Sequence, residues 1–251
     1  VRGQAPTPTV LAQWWQRFND PQLTAVVQQA LLANTDVRSA QASLRQARAQ
    51  RAARAAVLMP NVGAGVSGQR NTTGGSVASD SYSASLDASW EPDIFGSKRS
   101  AVDAADSDVL AATASLASVQ VSMAAEVAVT YIEVRSLQAR LVIARNNLDS
   151  LNETLQITRW RVQAGLTTSL DVEQAVAASE QTQAAIIALE TSLTQTISAL
   201  SVLTGQPPGA LQASMGLVTA VPQPGGDLAL ALPAETLRQR PDVRAAEERI
   251  S

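Results

Sequence analysis

The sequence predicts a mainly α protein carrying a single β-hairpin, and three observations support this. Alanine, the strongest helix former, supplies 45 of the 251 residues, while aromatic residues make up 3 %. From Lys98 to Gln163 there is neither proline nor glycine, and apolar residues recur every seven positions. From Asn61 to Trp90 the apolar period falls instead to two, the period of a strand with two unlike faces. Such a composition suits long helices in close contact rather than a core of bulky side chains.

Taken in order, residues 1–19 read as irregular, with Pro6, Pro8 and the pair Trp14-Trp15. Asp20-Pro21 is an N-cap followed by proline at the first helical position, which predicts a short helix to about Ala33. Asn34-Thr35 interrupts it, and a second helix runs from about Asp36 to Leu58, closed by Pro60. Next, Val62, Ala64 and Val66 alternate with Gly63, Gly65 and Ser67, and Tyr82, Ala84, Leu86, Ala88 and Trp90 alternate with Ser83, Ser85, Asp87 and Ser89. A polar loop from Asn71 to Ser81 joins the two runs, so they read as a β-hairpin whose strand length also suits a tilted membrane strand. Either this is an ordinary half-buried hairpin, or one face meets lipid through Tyr82, Leu86 and Trp90 and the other, with Ser83, Ser85, Asp87 and Ser89, a watery lumen.

The stretch from Lys98 to Gln163 predicts one helix of ~100 Å at ~1.5 Å per residue. Val127, Val134, Leu141, Leu148, Leu155 and Val162 form one heptad row, and Thr130, Leu137, Ala144, Leu151 and Thr158 a second. Such rows are a coiled-coil seam. Gly165 breaks the pattern, and a further heptad helix runs from about Thr168 to Leu203, so the pair must fold back as an antiparallel hairpin. Thr168 or Ser169 can cap this helix, and Asp171 lies in its first turn, where the helix dipole favours a carboxylate. Residues 204–233 are rich in proline and glycine and read as a linker or irregular lobe. A last helix begins near Ala234.

Composition also excludes functions. No histidine or cysteine is present, which removes the usual general base, thiolate nucleophile and zinc ligands, so no catalytic residue, cofactor or metal site is expected. A net charge of −3 argues against nucleic-acid binding. The arginines at 38, 45, 48, 51 and 54 read as a solvated or salt-bridged face. Gly63 to Gly68 matches the dinucleotide fingerprint in spacing but follows a helix and precedes a polar loop, the wrong context for it. No run of 18 apolar residues predicts a transmembrane helix. The chain opens at Val1 with no visible signal peptide, so any targeting segment is expected to have been removed or to lie outside this sequence.

Residues 237–246 repeat residues 31–40 at an offset of 206, with Leu, Asp-Val-Arg and Ala coinciding. The expectation is one complete repeat followed by the start of a truncated second, at 234–251.

This order of elements resembles the TolC-like outer membrane efflux factors, in particular their NodT/OprM-like lipoprotein branch. Trp14-Trp15 and Phe18 through Leu23 are similar to that branch's N-terminal signature. Trp90-Glu91-Pro92-Asp93-Ile94-Phe95-Gly96 is similar to its strand-to-helix junction. Arg161, Gly165-Leu166 and Leu170-Asp171-Val172 resemble its helical tip, and Leu232-Pro233 through Val243 the start of its second repeat. The resemblance implies a homotrimeric channel in the outer membrane with a periplasmic extension. Residues 1–35 would form the N-terminal segment, 36–60 and 97–203 helices of a periplasmic α-barrel, 61–96 two strands of a membrane β-barrel, and 204–233 an equatorial linker. It further implies a passive export duct for drugs or other small molecules, coupled through a periplasmic adaptor to an inner-membrane pump. Gly165, Leu166, Thr167, Thr168, Ser169, Leu170 and Asp171 would meet the adaptor. The acidic tip residue falls on Asp171, and the position before it, often small and polar in the family, is Leu170. The branch's acylated N-terminal cysteine has no counterpart in this chain. The competing reading is a structural coiled-coil module such as the adaptor's own hairpin, and the strand pair at 61–91 discriminates between them, because an adaptor needs no lipid-facing alternation.

Overall fold

The computed structural model describes residues 13–71, 79–224 and 240–247. The expectations for 1–12, for the middle of the strand loop and for 225–239 lie outside these. The elements are a 3-10 turn (Trp14–Phe18), α1 (Pro21–Ala33), α2 (Thr35–Ala56), β1 (Asn61–Asn71), β2 (Ser79–Ser89), α3 (Ser97–Gln163), α4 (Ser169–Leu203), α5 (Gln212–Met215) and α6 (Pro241–Glu247). The chain divides into two compact units: residues 1–39 with 118–233, and residues 40–117 with 234–251.

In the first unit, α1 begins where the sequence predicts. Asp20 Oδ1 accepts from the backbone N–H of Gln22 at 2.8 Å and of Leu23 at 3.0 Å, and Pro21 occupies the first turn. Leu23, Val26, Val27 and Ala30 are buried, the i, i+3, i+4, i+7 stripe of an amphipathic helix. Asn34 separates α1 from α2 and holds the break in place. Its Oδ1 accepts from Asp36 N at 2.8 Å, and its Nδ2 donates to Leu203 O at 3.2 Å, the last residue of α4. Directly after α4, Gly205 has φ +70, and a Cβ there would lie 3.0 Å from Ala33 Cβ and 3.1 Å from Ala33 O. Glycine therefore lets the end of α4 turn against the end of α1.

Along α3 the heptad rows mark the burial. Val127, Val134, Leu141 and Leu155 are buried, as is Leu137 in the second row. Between Met123 and Leu141, however, Ala124, Ala128, Tyr131, Arg135 and Gln138 are buried as well. Most of the helix circumference is enclosed there, more than a two-row seam requires. Toward the tip only the seam remains covered. Polar contacts supplement it: Ser179 Oγ to Asn152 Oδ1 at 2.7 Å, and the exposed pair Arg145–Glu190 at 2.7 Å. Many helical serines and threonines, among them Thr130, Thr154, Thr158 and Ser198, donate to the carbonyl four residues back, so their hydroxyls are satisfied without a partner helix. Within the predicted linker, Leu211 and Met215 are buried at either end of the short α5, while residues 216–220 are exposed.

In the second unit, α2 ends two residues before the predicted Leu58. The N–H groups of Val57, Leu58 and Met59 bond three residues back rather than four, the tightened last turn that fits the constraint of the following Pro60. Leu44, Ala105 and Ala111 are buried. Arg51 makes a two-pronged contact with Asp106, at 2.9 and 3.3 Å. The strands pair antiparallel from Asn61↔Ser89 to Asn71↔Ser79. α6 starts at Pro241, 206 positions after the start of α2 at Thr35, so the repeated sequence begins a helix at the same register.

Both α3 and α4 are apolar enough, by length and composition, to cross a membrane, whereas the sequence predicts no such helix. Their hydropathy comes from alanine-rich heptad rows interrupted by polar residues, and the rows supply helix-to-helix contacts.

Candidate functional site

Three sets of side chains stand out, each built by a different element: the turn between α3 and α4, the strand hairpin with its junction, and a buried polar cluster in the first unit.

The turn is made almost wholly of local bonds. Gly165 N bonds to Val162 O at 2.9 Å and Leu166 N to Arg161 O at 2.8 Å, the two bonds of a Schellman motif. Gly165 takes φ +72, a conformation that glycine alone adopts without strain. Thr168 is the N-cap of α4, in extended conformation. Asp171 Oδ2 accepts from the Thr168 backbone N–H and from the Thr168 hydroxyl, both at 3.0 Å, and from the Thr167 hydroxyl. These donors, the Thr167 hydroxyl first, hold the Asp171 carboxyl below the usual aspartate range. With its polar groups satisfied internally, the turn presents apolar side chains outward. Leu166 and Leu170 are exposed, and so is Trp160 on the last turns of α3. Trp160 is absent from the sequence-based site, although a tryptophan outside both heptad rows near a helix end was a readable signal.

The hairpin has two unlike faces. Val62↔Ala88, Ala64↔Leu86, Val66↔Ala84 and Gly68↔Tyr82 share one face, with the Tyr82 ring lying over Gly68. Gly63↔Asp87, Gly65↔Ser85, Ser67↔Ser83 and Gln69↔Ser81 share the other, where the Ser67 and Ser83 hydroxyls meet at 2.8 Å. β1 is exposed along its whole length, and Tyr82 and Leu86 are about four-fifths exposed, at 82 % and 78 %.

Trp90 follows β2 rather than belonging to it. Its indole N–H donates to Leu58 O at 3.1 Å, tying the strand's exit to the end of α2. In the junction, Lys98 Nζ donates to Glu91 O at 2.9 Å and to Glu91 Oε2 at 2.8 Å, and Asp93 Oδ2 accepts from Arg99 N at 2.9 Å. Gly96, at φ +78, starts α3 by accepting from Ser100 N. Ile94 and Phe95 project outward, the latter 96 % exposed.

The third set is missing from the sequence-based reading. Arg135 is fully buried. Its Nε–H and one NH2 hydrogen reach the Tyr131 hydroxyl, each at 3.1 Å. NH1 donates to Gln138 Oε1 and to Leu217 O, both at 2.8 Å, and NH2 donates to Gln22 Oε1. All five guanidinium N–H groups are thus used. The Tyr131 hydroxyl in turn donates to Asp20 Oδ2 at 2.8 Å, and burial raises its phenol pKa. In the sequence Arg135 shows only as a charged residue next to Val134 of the heptad row.

Comparison with known proteins adds to this geometry. Residues 26–206 match the model of the outer membrane efflux protein family. The chain belongs to that family. It is 32 % identical over 255 residues to the pyoverdine export outer membrane protein OpmQ of Pseudomonas aeruginosa, covering 96 % of this chain and 53 % of the relative. It is 32 % identical over 244 residues to the toluene efflux pump outer membrane protein TtgF of Pseudomonas putida, covering 94 % and 50 %. Among solved structures, the outer-membrane channel OprN matches at 35 % identity and a TM-score of 0.82, over 95 % of this chain and 55 % of that one. The chain spans about half the length of the curated relatives it matches. Family and fold neighbours are channel proteins, so the competing adaptor reading falls behind. Among the described residues no group of three or more carboxylates could hold a metal.

Proposed function

We propose that this efflux-family chain supplies two strands and one helical hairpin to a homotrimeric export duct in the outer membrane. The observation that carries the reading is the hairpin: eleven-residue strands with an apolar face that no described residue covers. At ~3.4 Å per residue and a tilt of ~40°, such strands span roughly the 25 Å apolar band of an outer-membrane barrel. Tyr82 and Leu86 then face lipid, Trp90 sits at the interface, and Ser83, Ser85, Asp87 and Ser89 face the lumen. The helices form the periplasmic extension.

The duct is passive and needs neither cofactor nor nucleic acid. Pyoverdine and toluene appear in the names of relatives, which supports small molecules as cargo here. An inner-membrane pump supplies the energy through a periplasmic adaptor. The tip, Gly165 to Asp171, meets that adaptor with Leu166 and Leu170 outward, and a shift between closed and open tips gates the passage.

Two experiments on the full-length protein test the two halves of the proposal. Replacing Gly165 and Asp171 is expected to lower export and adaptor cross-linking together; unchanged drug susceptibility with unchanged cross-linking defeats the tip assignment. Single cysteines at Leu86 and Ser85 are expected to react with a lipid-soluble and a water-soluble maleimide respectively. Equal reaction of both sites with the water-soluble reagent defeats the membrane assignment.

A further inference from the structure

The buried cluster around Arg135 does more than fill space. Three side chains each hold a backbone carbonyl of one short stretch beyond α4. Gln22 Nε2, on α1, donates to Ser214 O at 2.8 Å. Gln138 Nε2, on α3, donates to Met215 O. Arg135 NH1 donates to Leu217 O at 2.8 Å. The first two side chains are themselves oriented by Arg135, which donates to the Oε1 of each. This fixes both amides with oxygen toward the guanidinium and nitrogen toward the stretch. One planar fork therefore aligns three donors on three carbonyls within four residues.

The stretch itself has little else to fix it. α5 is four residues long, and after the buried Met215 the side chains of Leu217 and Val218 are exposed. Tyr131 completes the arrangement from below. Its ring lies 5.0 Å from the guanidinium carbon, and its hydroxyl links Arg135 to the carboxylate that caps α1. Lysine cannot replace this arginine, because an ammonium has three donors and no planar fork.

We propose that Arg135 is a positioning residue that sets the path of the chain as it leaves the α3–α4 hairpin, by locking Ser214, Met215 and Leu217 onto α3 and α1. The lock rests on geometry inside the first unit and stands whether or not the hairpin faces lipid.

The test is a pair of distance measurements between spin labels in the full-length protein. Labels at Val129 and Val218, both exposed, report the position of the stretch against α3. Labels at Glu153 and Glu180, both exposed, report the hairpin nearer the tip. In Arg135→Met the 129–218 distribution is expected to broaden about twofold while the 153–180 distribution stays unchanged. Arg135→Lys is expected to broaden it to an intermediate degree. An unchanged 129–218 distribution overturns the proposal. Equal broadening of both pairs overturns it too, since Arg135 would then support general stability only. Should Arg135→Met fail to fold, Arg135→Lys and Tyr131→Phe carry the same readout, and no broadening in either is the negative result.

Discussion

The tip and the base of the α3–α4 hairpin are held by different kinds of hydrogen bond. At the tip the bonds are local, none of them spanning more than five residues, from Leu166 N to Arg161 O to the three donors on Asp171. At the base, Arg135 reaches Leu217 across 82 positions and Gln22 across 113, and Tyr131 reaches Asp20 across 111. A turn built from neighbouring residues keeps its shape while the helices around it shift. A cluster assembled from distant segments fixes those segments to one another. The tip is thus a self-contained turn, and the base an anchor between distant segments.

The largest expected effect tests the anchor. Arg135→Met leaves Gln138 Oε1 buried, and Gln22 Oε1 and Leu217 O part-buried, without this donor, and a cost of about 3–5 kcal/mol over the three acceptors is expected, read as a fall in the thermal unfolding midpoint. The next two predictions make one substitution at two turns. Gly205 and Gly165 both have φ near +70 and close the same kind of helix end. At Gly205 an added Cβ meets Ala33, whereas at Gly165 nothing lies within 4 Å. Gly205→Ala is therefore expected to cost about 2–4 kcal/mol, backbone strain plus overpacking. Gly165→Ala is expected to cost about 1–2 kcal/mol from the backbone alone, seen as faster amide exchange near the tip. Equal effects at the two sites would mean that the Ala33 contact yields without cost.

The smallest effect is one of pH. The Asp171 carboxyl titrates below the usual aspartate range in the folded protein. Its contribution is thus present above the unfolded pKa of about 3.9 and lost as pH falls through the lower folded value. Amide protection at Thr168 is expected to drop in that acid window, and protection around Arg135 to stay level until global unfolding. Asp171→Asn is expected to remove the pH step, and a step that survives the substitution assigns it to another group.

Much of this molecule was legible before any coordinates, and the legible parts share a cause. The cap at Asp20-Pro21, the break at Gly165, Asp171 in the first turn of α4 and the alternation of β1 and β2 are set by residues within a few positions of one another. The seven-residue spacing located the seam for the same reason, since periodicity is a local property of a helix. What escaped was whatever depends on a distant segment. The enclosure of α3 between Met123 and Leu141 comes from chain that arrives from α1 and from residues 211–217. Nothing beside Arg135 in sequence says that a guanidinium there will be dry.

The sequence by itself therefore determined the order of the long helices and the strands, the two faces of the hairpin and the turn at the tip, because each follows from backbone preference and short-range spacing. Only the tertiary structure decided that the segment after α4 is anchored through the buried Leu211 and Met215 and that Arg135 holds its Leu217 carbonyl. A buried charge becomes tolerable only when every donor has found an acceptor, and those acceptors come from segments 3 to 113 positions away.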